Sequence, residues 1–452
     1  MMTKEKKKKK VKNTTVGFYA LGCPKNIIDS ERMLAEIAQA GFIIASEPEN
    51  ADVVVINTCG FIEPAKQEAL EVIRHALDCK REGTVKKVIV AGCLPQRLGQ
   101  KLAGEIKGID AIISLAYRDN ISQIIRKTLN TDKPLLKLTD PPASVSDDRT
   151  RLLITPIHSP YLRIGDGCDY RCSFCTIPAI RGRFRSKPLE LILAEAKELV
   201  SAGAVELNII AQDTTSYGRD LKMKNGLATL IKELEKIKRL CWIRLMYLYP
   251  AGITDNLIKT IAESPKTVHY LDIPIQHINN QILKNMHRPD TKEQIYGLIE
   301  KLRSAIPDTA LRSTLIIGFP GETDKQFNEL LEFVEWAEFD ALGSFKYYCE
   351  ADTPAAQMPN QLPDDVKEHR LKELMLRQQE IAFAKNKKRI ASELTCLVDS
   401  IDEGGSTSGR FYGQAPDIDS ICIIENCSAK PGDFVNTRVV DVKYYDLIVE
   451  QI

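Results

Sequence analysis

"YLRIGDGCDYRCSFC", residues 161–175, sets a short β-prone run directly before three cysteines in the spacing C-x3-C-x2-C: Cys168, Cys172 and Cys175. Thiolates suit zinc, copper(I) and iron–sulfur clusters. Structural zinc wants a closed shell of four ligands, and no further Cys or His stands close in sequence; His158 lies upstream on an expected strand. A [4Fe–4S] cube held by three cysteines keeps one iron without a protein ligand, and an open metal position is what catalysis uses. On the residues alone the trio reads as an open cluster, with zinc and a plain electron carrier as competing readings.

The run before the cysteines opens a βα series. Further strand candidates are "VELNIIAQD", "CWIRLMYLYP", "VHYLDIPIQH", "TALRSTLIIGF" and "FDALGSFKYY", separated by helical patterns such as "LELILAEAKELVSAG" and "DKQFNELLEFVEWAE". Six strands with intervening helices predict a partial (βα)6 barrel over residues 154–384. Its active face should lie at the strand carboxyl ends, where the three cysteines fall.

Upstream, residues 14–138 alternate "TVGFYAL", "DVVVIN" and "KKVIVAG" with amphipathic helical stretches, the pattern of a parallel sheet covered by helices. Each of these strands runs into a cysteine: Cys23, Cys59 and Cys93. Loops after parallel strands gather at the carboxyl edge of the sheet, so this second trio is expected to meet there. The competing reading is three buried core residues, a common use of free cysteine. A polar, proline-bearing stretch, residues 139–153, reads as a linker. After the barrel a charged helix leads into residues 385–452, where β-prone runs broken by Gly, Pro and Asp predict a small all-β barrel. The chain is thus read as α/β and multidomain.

Size and composition agree with this. The 452 residues correspond to about three domains at roughly 150 residues each. A net charge of +1 commits the whole chain to neither nucleic acid nor membrane. Residues 1–13, "MMTKEKKKKKVKN", have no apolar segment behind them and are neither a signal peptide nor a membrane span. They read as a basic flexible tail, with weak attraction to RNA as the alternative. No run reaches the roughly 20 apolar residues of a membrane span, so a cytosolic protein is expected. There, twelve cysteines point to metal or redox chemistry rather than a disulfide framework.

C-x3-C-x2-C, with Phe174 before the last cysteine, resembles the signature of the radical S-adenosylmethionine superfamily. In that superfamily the amino and carboxylate groups of S-adenosylmethionine chelate the fourth iron, and one electron from the cluster generates a 5′-deoxyadenosyl radical. "LGCPKNIIDSE", "NTCGFIEPA" and "AGCLPQR", taken with "GDGCDYRCSFCTIPAIRGRFRS", look like the methylthiotransferase family, over residues 15–452. The resemblance implies two [4Fe–4S] clusters. Cys168, Cys172 and Cys175 would hold the one that binds S-adenosylmethionine. Cys23, Cys59 and Cys93 would hold an auxiliary cluster carrying the sulfur to be inserted. Two S-adenosylmethionine molecules would be used, one methylating the sulfur and one yielding the radical. A reductant such as flavodoxin or ferredoxin is implied, a monomer suffices because one chain carries both ligand sets, and the C-terminal module would be a TRAM domain.

Within the family, "LGCPKN", "QDTTSYGRDL", "YLYPAGITDNL" and "IQHINNQILKNMHRP" look like the branch that modifies an aspartate of the small-subunit ribosomal protein numbered twelve. The branch acting on transfer RNA adenosine more usually has "GCQMN" at the first cysteine. Residues 391–452 carry four basic against eleven acidic side chains, a formal charge of −7. RNA binding depends on cations neutralising phosphates, so this module is expected to repel RNA and attract a basic ribosomal protein; an ordinary solvated acidic face is the alternative. For a TRAM domain, normally discussed as an RNA binder, the acidity is a departure.

No catalytic residue beyond the cluster ligands is assigned. Gln212, Arg244, Gln276 and Gly318 are expected around S-adenosylmethionine at the barrel mouth, Gly318 because "IIGFPGET" (residues 316–323) permits close backbone approach. A simple tight turn explains that motif equally well. Asp213 belongs to the same mouth, and His277 reads as a structural histidine. Arg181, Arg183 and Arg185 either grip a carboxylate of substrate or cofactor or are surface charge. Cys79, Cys241, Cys349, Cys396, Cys422 and Cys427 read as structural.

Overall fold

Val53, Val55 and Ile89 bury against Met33, Ile37 and Ile125, while Val54, Ile56, Val88 and Val90 bury against Ala69, Ile73 and Leu77. Strands that are apolar on both faces demand helices on both faces, and that pair of cores defines the first unit of the fold. A computed structural model describes residues 14–452; the basic tail expected over residues 1–13 lies outside the described residues.

The first sheet contains β1 (Thr15–Ala20), β2 (Ile43–Ile44), β3 (Val53–Thr58), β4 (Lys87–Gly92), β5 (Ala111–Ile113) and β6 (Leu135–Lys137). All its pairings are parallel, in the order β2-β1-β3-β4-β5-β6. The three strands that precede cysteines are therefore neighbours. Register aligns Ala20 with Asn57 and Asn57 with Ala91, so the three cysteine-bearing loops leave the sheet edge at one level.

The second sheet is built from β7 (Tyr161–Arg163), β10 (Glu206–Ile210), β11 (Trp242–Leu245), β12 (Thr267–Asp272), β13 (Ala310–Ile317) and β14 (Ala341–Lys346). It runs β14-β13-β12-β11-β10-β7, all parallel, as the sequence predicts for a partial (βα)6 barrel. A two-stranded antiparallel ribbon, β8 (Gly165–Asp166) with β9 (Arg185–Ser186), closes the base of the loop carrying Cys168, Cys172 and Cys175. After the Asp364–Lys388 helix, β15 (Glu393–Ile401), β16 (Thr407–Phe411), β17 (Cys422–Glu425), β18 (Phe434–Lys443) and β19 (Asp446–Gln451) form a closed five-stranded barrel.

This small barrel and the βα barrel form one compact unit. They are joined at the amino ends of the βα strands by polar contacts. Tyr161 donates to Asp417 (3.0 Å), Tyr270 to Asp419 (2.7 Å), Arg244 to the Tyr412 carbonyl (2.7 Å) and Arg410 to Glu206 (2.8 Å). Three of the eleven acids of the small barrel, Asp399, Asp417 and Asp419, are engaged in this way, Asp399 through His158 (3.0 Å) and Arg410 (2.7 Å).

Part of the stretch expected as a linker, residues 139–153, packs into the two units. Residues 144–149 belong with the second unit and residues 150–154 with the first. Asp148 is wholly buried between Arg163 (2.6 Å) and Lys187 (2.6 Å), and Arg151 pairs with Glu31 at 2.8 Å. These charges are neutralised internally. Among the described residues no helix is long and apolar enough to cross a membrane.

Candidate metal centres

In the first unit, Cys23 caps the Pro24–Gln39 helix, whose first position is the proline that tolerates a missing N–H there. Cys93 opens the Cys93–Leu98 helix, and Cys59 lies one residue past β3. The three loops touch. A Cβ at Gly22 (φ +91°) would lie 2.6 Å from Cys59 Cβ, and one at Gly60 would lie 2.9 Å from Leu94 Cα and 3.1 Å from the Cys93 carbonyl carbon. Glycine at these positions lets the loops approach closely.

Two asparagines that sequence reading missed fasten this edge. Asn26 Nδ2 donates to the carbonyls of Leu21 (2.5 Å) and Asn57 (3.3 Å), and Asn57 Nδ2 donates to the Asn26 carbonyl (3.0 Å) and Ser30 Oγ (2.8 Å). Both residues are fully buried. They tie the end of β1 to the end of β3 and so set Cys23 against Cys59. The signal for them was weak: each asparagine sits within three residues of a cysteine, which has meaning only once the strands are known to be neighbours.

In the second unit, the ligand loop is drawn tight at its base. Cys168 N donates to the Gly182 carbonyl (3.1 Å), and Gly167 (φ +80°) leaves no room for a Cβ, which would meet the Arg183 carbonyl oxygen at 2.2 Å. Cys175 Sγ accepts from the Ile177 amide at 3.4 Å. The three thiols bear on one another electrostatically: Cys175 feels Cys172 and Cys168, and Cys168 feels Cys172. Burial pushes all three up, Cys168 to about 12, and Asp213 adds to the rise at Cys168. Cys172 is also pulled the other way by Arg288 and Tyr249 beside it. Three thiolates packed together need positive charge at their centre, which a metal supplies as the thiols release their protons.

Among the described residues, no three His, Cys, Asp or Glu side chains converge on a single metal position. A cube asks for a different arrangement, one cysteine on each of three irons, and two trios of cysteines on adjoining loop positions have the donor chemistry for it.

The other expected site residues divide. Gln212 follows β10 at the carboxyl face; its Nε2 donates to Asp166 at 2.8 Å while its Oε1 is buried with no partner among the described residues. Gln276 has φ +74° and its N–H donates to the Thr314 carbonyl (2.8 Å), which fixes it between β12 and β13. Gly318 has φ +72° and lies against Lys367, and its N–H donates to Glu322 (2.9 Å). These three stand on the face where the ligand loop emerges. Arg244 does not. It is fully buried, paired with Glu206 (2.8 Å) and bonded to Tyr412 of the small barrel, so its charge is spent at the foot of the barrel and the expected place beside S-adenosylmethionine is corrected.

His277 is buried, with Nδ1 accepting from the Asn279 amide (3.0 Å) and Nε2 standing 3.5 Å from Glu322. Asp213 caps a turn through the Thr215 amide (3.0 Å). Of the three arginines after the loop, Arg181 faces Asp166 (3.5 Å), Arg183 grips Asp169 (2.9 and 3.2 Å) and Arg185 bonds the Arg181 carbonyl (3.0 Å). Their partners belong to the protein itself. Cys396 and Cys422 are buried inside the small barrel beside one another.

Comparison with known proteins adds three matches to family models: the radical SAM superfamily over residues 162–334, the uncharacterized protein family UPF0004 over residues 15–114, and the TRAM domain over residues 390–452. Among curated proteins, the ribosomal protein uS12 methylthiotransferase RimO of Geobacter sulfurreducens is 46% identical over 96% of this chain and 98% of its own length. Its counterparts from Citrifermentans bemidjiense (45%; 96% and 98%) and Clostridioides difficile (42%; 96% and 98%) are similarly alike. Among solved structures, the radical S-adenosylmethionine methyltransferase TsrM from Kitasatospora setae, with cobalamin and a [4Fe–4S] cluster bound, superposes with a TM-score of 0.56 at 13% identity over 76% of this chain and 77% of that one. The cobalamin-dependent radical enzyme OxsB gives 0.51 at 15% identity over 82% and 56%. At such identities these two likenesses speak for the fold.

Proposed function

The chain belongs to the ribosomal protein uS12 methylthiotransferase (RimO) family, and from that premise we propose that it places a methylthio group on the β-carbon of an aspartate in ribosomal protein uS12. It is a radical S-adenosylmethionine enzyme with two [4Fe–4S] clusters. In this reading Cys168, Cys172 and Cys175 hold the cluster whose fourth iron is left to S-adenosylmethionine, and Cys23, Cys59 and Cys93 hold the auxiliary cluster. When bound, these groups supply the one-electron chemistry that opens an unactivated carbon–hydrogen bond, together with the sulfur that is inserted.

The protein's own part is to hold and shield. Asn26 and Asn57 fix the auxiliary trio's loops. The β8–β9 ribbon and the Cys168–Gly182 bond fix the other loop. Gln212, with its uncommitted buried carbonyl, and the backbone around Gln276 and Gly318 form the S-adenosylmethionine pocket. Cys59 and Cys93 are buried and Cys168, Cys172 and Cys175 are partly withdrawn from solvent, whereas Cys23 is exposed. A low-potential flavodoxin or ferredoxin supplies electrons, and the protein acts as a monomer in the cytosol.

The observation that carries the substrate assignment is charge. Glu393, Asp402, Glu403, Glu425, Asp433, Asp441 and Glu450 are exposed on the small barrel, Glu393 beside Arg438 (3.1 Å), whereas Asp399 and Asp419 are drawn into contacts with the βα barrel. Such a surface attracts a basic ribosomal protein and disfavours a phosphate backbone. The test offers uS12 and transfer RNA in parallel to the reduced, reconstituted protein with S-adenosylmethionine and sulfide under anaerobic conditions. Mass spectrometry should find the methylthio group on uS12; its appearance on transfer RNA instead would overturn the assignment.

A further inference from the structure

Tyr249 sits one turn of chain beyond β11 and is buried, as is Arg288. The Tyr170 ring stacks on Tyr249 with centroids 3.6 Å apart and planes 4° apart, and the Arg288 guanidinium lies 3.9 Å from the centroid of the same ring. Two planar groups at those distances cannot share one face, so Tyr249 is sandwiched between them. Tyr170 belongs to the ligand loop, between Cys168 and Cys172. The sandwich therefore ties that loop to the segments that follow β11 and β12.

The polar atoms of the sandwich are not fully used. Arg288 Nη2 donates to the Pro274 carbonyl at 2.8 Å and stands 3.6 Å from Asp290 Oδ2, but its Nε and the Tyr249 hydroxyl are buried without a well-formed hydrogen bond to any described protein atom. Both side chains draw the Cys172 thiol downward, against the burial that raises it. Buried donors without partners cost stability unless something completes them. Here the neighbour is a metal ligand's sulfur.

We propose that Tyr249 and Arg288 are positioning residues for the cluster of Cys168, Cys172 and Cys175, donating toward the Cys172 sulfur and thereby setting the potential at which that cluster accepts an electron. The inference rests on the reading that this trio holds a cluster. Hydrogen bonds to cluster sulfurs and nearby charge are what tune such potentials, because reduction adds one negative charge that donors and cations stabilise. Tyr249 and Arg288 raise the potential. The Asp290 carboxylate, 3.6 Å from Arg288 Nη2, opposes them.

The opposed signs make the test. The full-length protein carrying Cys23→Ala, Cys59→Ala and Cys93→Ala, which retains one trio, is reconstituted anaerobically, assayed for iron and sulfide, and titrated with dithionite while the reduced cluster is followed by electron paramagnetic resonance. Arg288→Gln should lower the reduced fraction at a fixed potential by about tenfold, equivalent to about 59 mV for one electron. Tyr249→Phe, which removes a single oxygen, should move the midpoint the same way, and Asp290→Asn should move it the opposite way. Normal cluster content with unchanged midpoints, or shifts of one sign in all three variants, overturns the proposal. Tyr249→Phe decides the matter if Arg288→Gln does not fold. Failure of the parent to take up any cluster overturns the site assignment itself, and this inference with it.

Discussion

Arg410 of the small barrel and Glu206 at the start of β10 meet at 2.8 Å across the foot of the βα barrel, and both are buried. Glu206 also pairs with Arg244 at 2.8 Å, and Arg410 has a second carboxylate in Asp399 at 2.7 Å. This knot joins the two barrels of the second unit.

Neutralising Glu206 leaves Arg244 without its carboxylate and Arg410 with Asp399 alone. Breaking one partner of a buried pair costs about 3–5 kcal/mol. Glu206→Gln should therefore lower the calorimetric unfolding temperature of the full chain, and an unchanged temperature would show that the knot is not structural.

The same carboxylate gives an acid signature. Burial pushes Glu206 up, but Arg410 and Arg244 outweigh it and hold it down at about 2. Asp399 is lowered in the same way, burial being overcome by His158 and Arg410. Folded values below the unfolded ones mean stability that is fully present above the ordinary carboxylate range and lost as pH falls from about 4.5 toward 2. Unfolding midpoints measured across that window should decline steeply in the parent and less steeply in Glu206→Gln.

Gly22→Ala should empty the auxiliary site alone. The added Cβ meets Cys59 Cβ at 2.6 Å, in a backbone conformation that alanine disfavours. Iron should drop from about eight to about four per chain, while reductive cleavage of S-adenosylmethionine persists. Gly41→Ala is the control: its φ is +83° but nothing lies within 4 Å, so it carries the strain without the clash and should keep its iron.

Removing exposed acids should weaken substrate capture without touching the chemistry. Replacing Asp402, Glu403, Glu425 and Asp441 by their amides should raise KM for uS12 at low salt and leave kcat alone. Because surface charges are screened at physiological ionic strength within about 8 Å, the difference should shrink as salt rises. A KM that ignores these changes would place uS12 elsewhere.

The three cysteine-bearing strands of the first sheet, the six of the βα barrel and their parallel sense were readable in the sequence from local periodicity, whereas the short β2, β5 and β6 and the order of strands in the first sheet were not. Nor were contacts between distant segments. Arg244 looked like a mouth residue because a lone arginine on a barrel strand has no visible partner; its partners, Glu206 and Tyr412, lie 38 and 168 positions away. Tyr249 and Arg288 were unremarked for the same reason, since their bearing on Cys172 arises only when the barrel closes. Asp148 lies in the run read as a linker, and its burial is made tolerable by Arg163 and Lys187, which only the fold brings in.

The central claim is a division of labour between two cysteine trios, and Cys59→Ala measures it directly. Deoxyadenosine release and methylthiolated uS12 are quantified in the same anaerobic incubation. The variant should still cleave S-adenosylmethionine and yield no methylthiolated product. Persistent methylthiolation, or loss of both activities despite an intact Cys168, Cys172 and Cys175 cluster, would contradict the account.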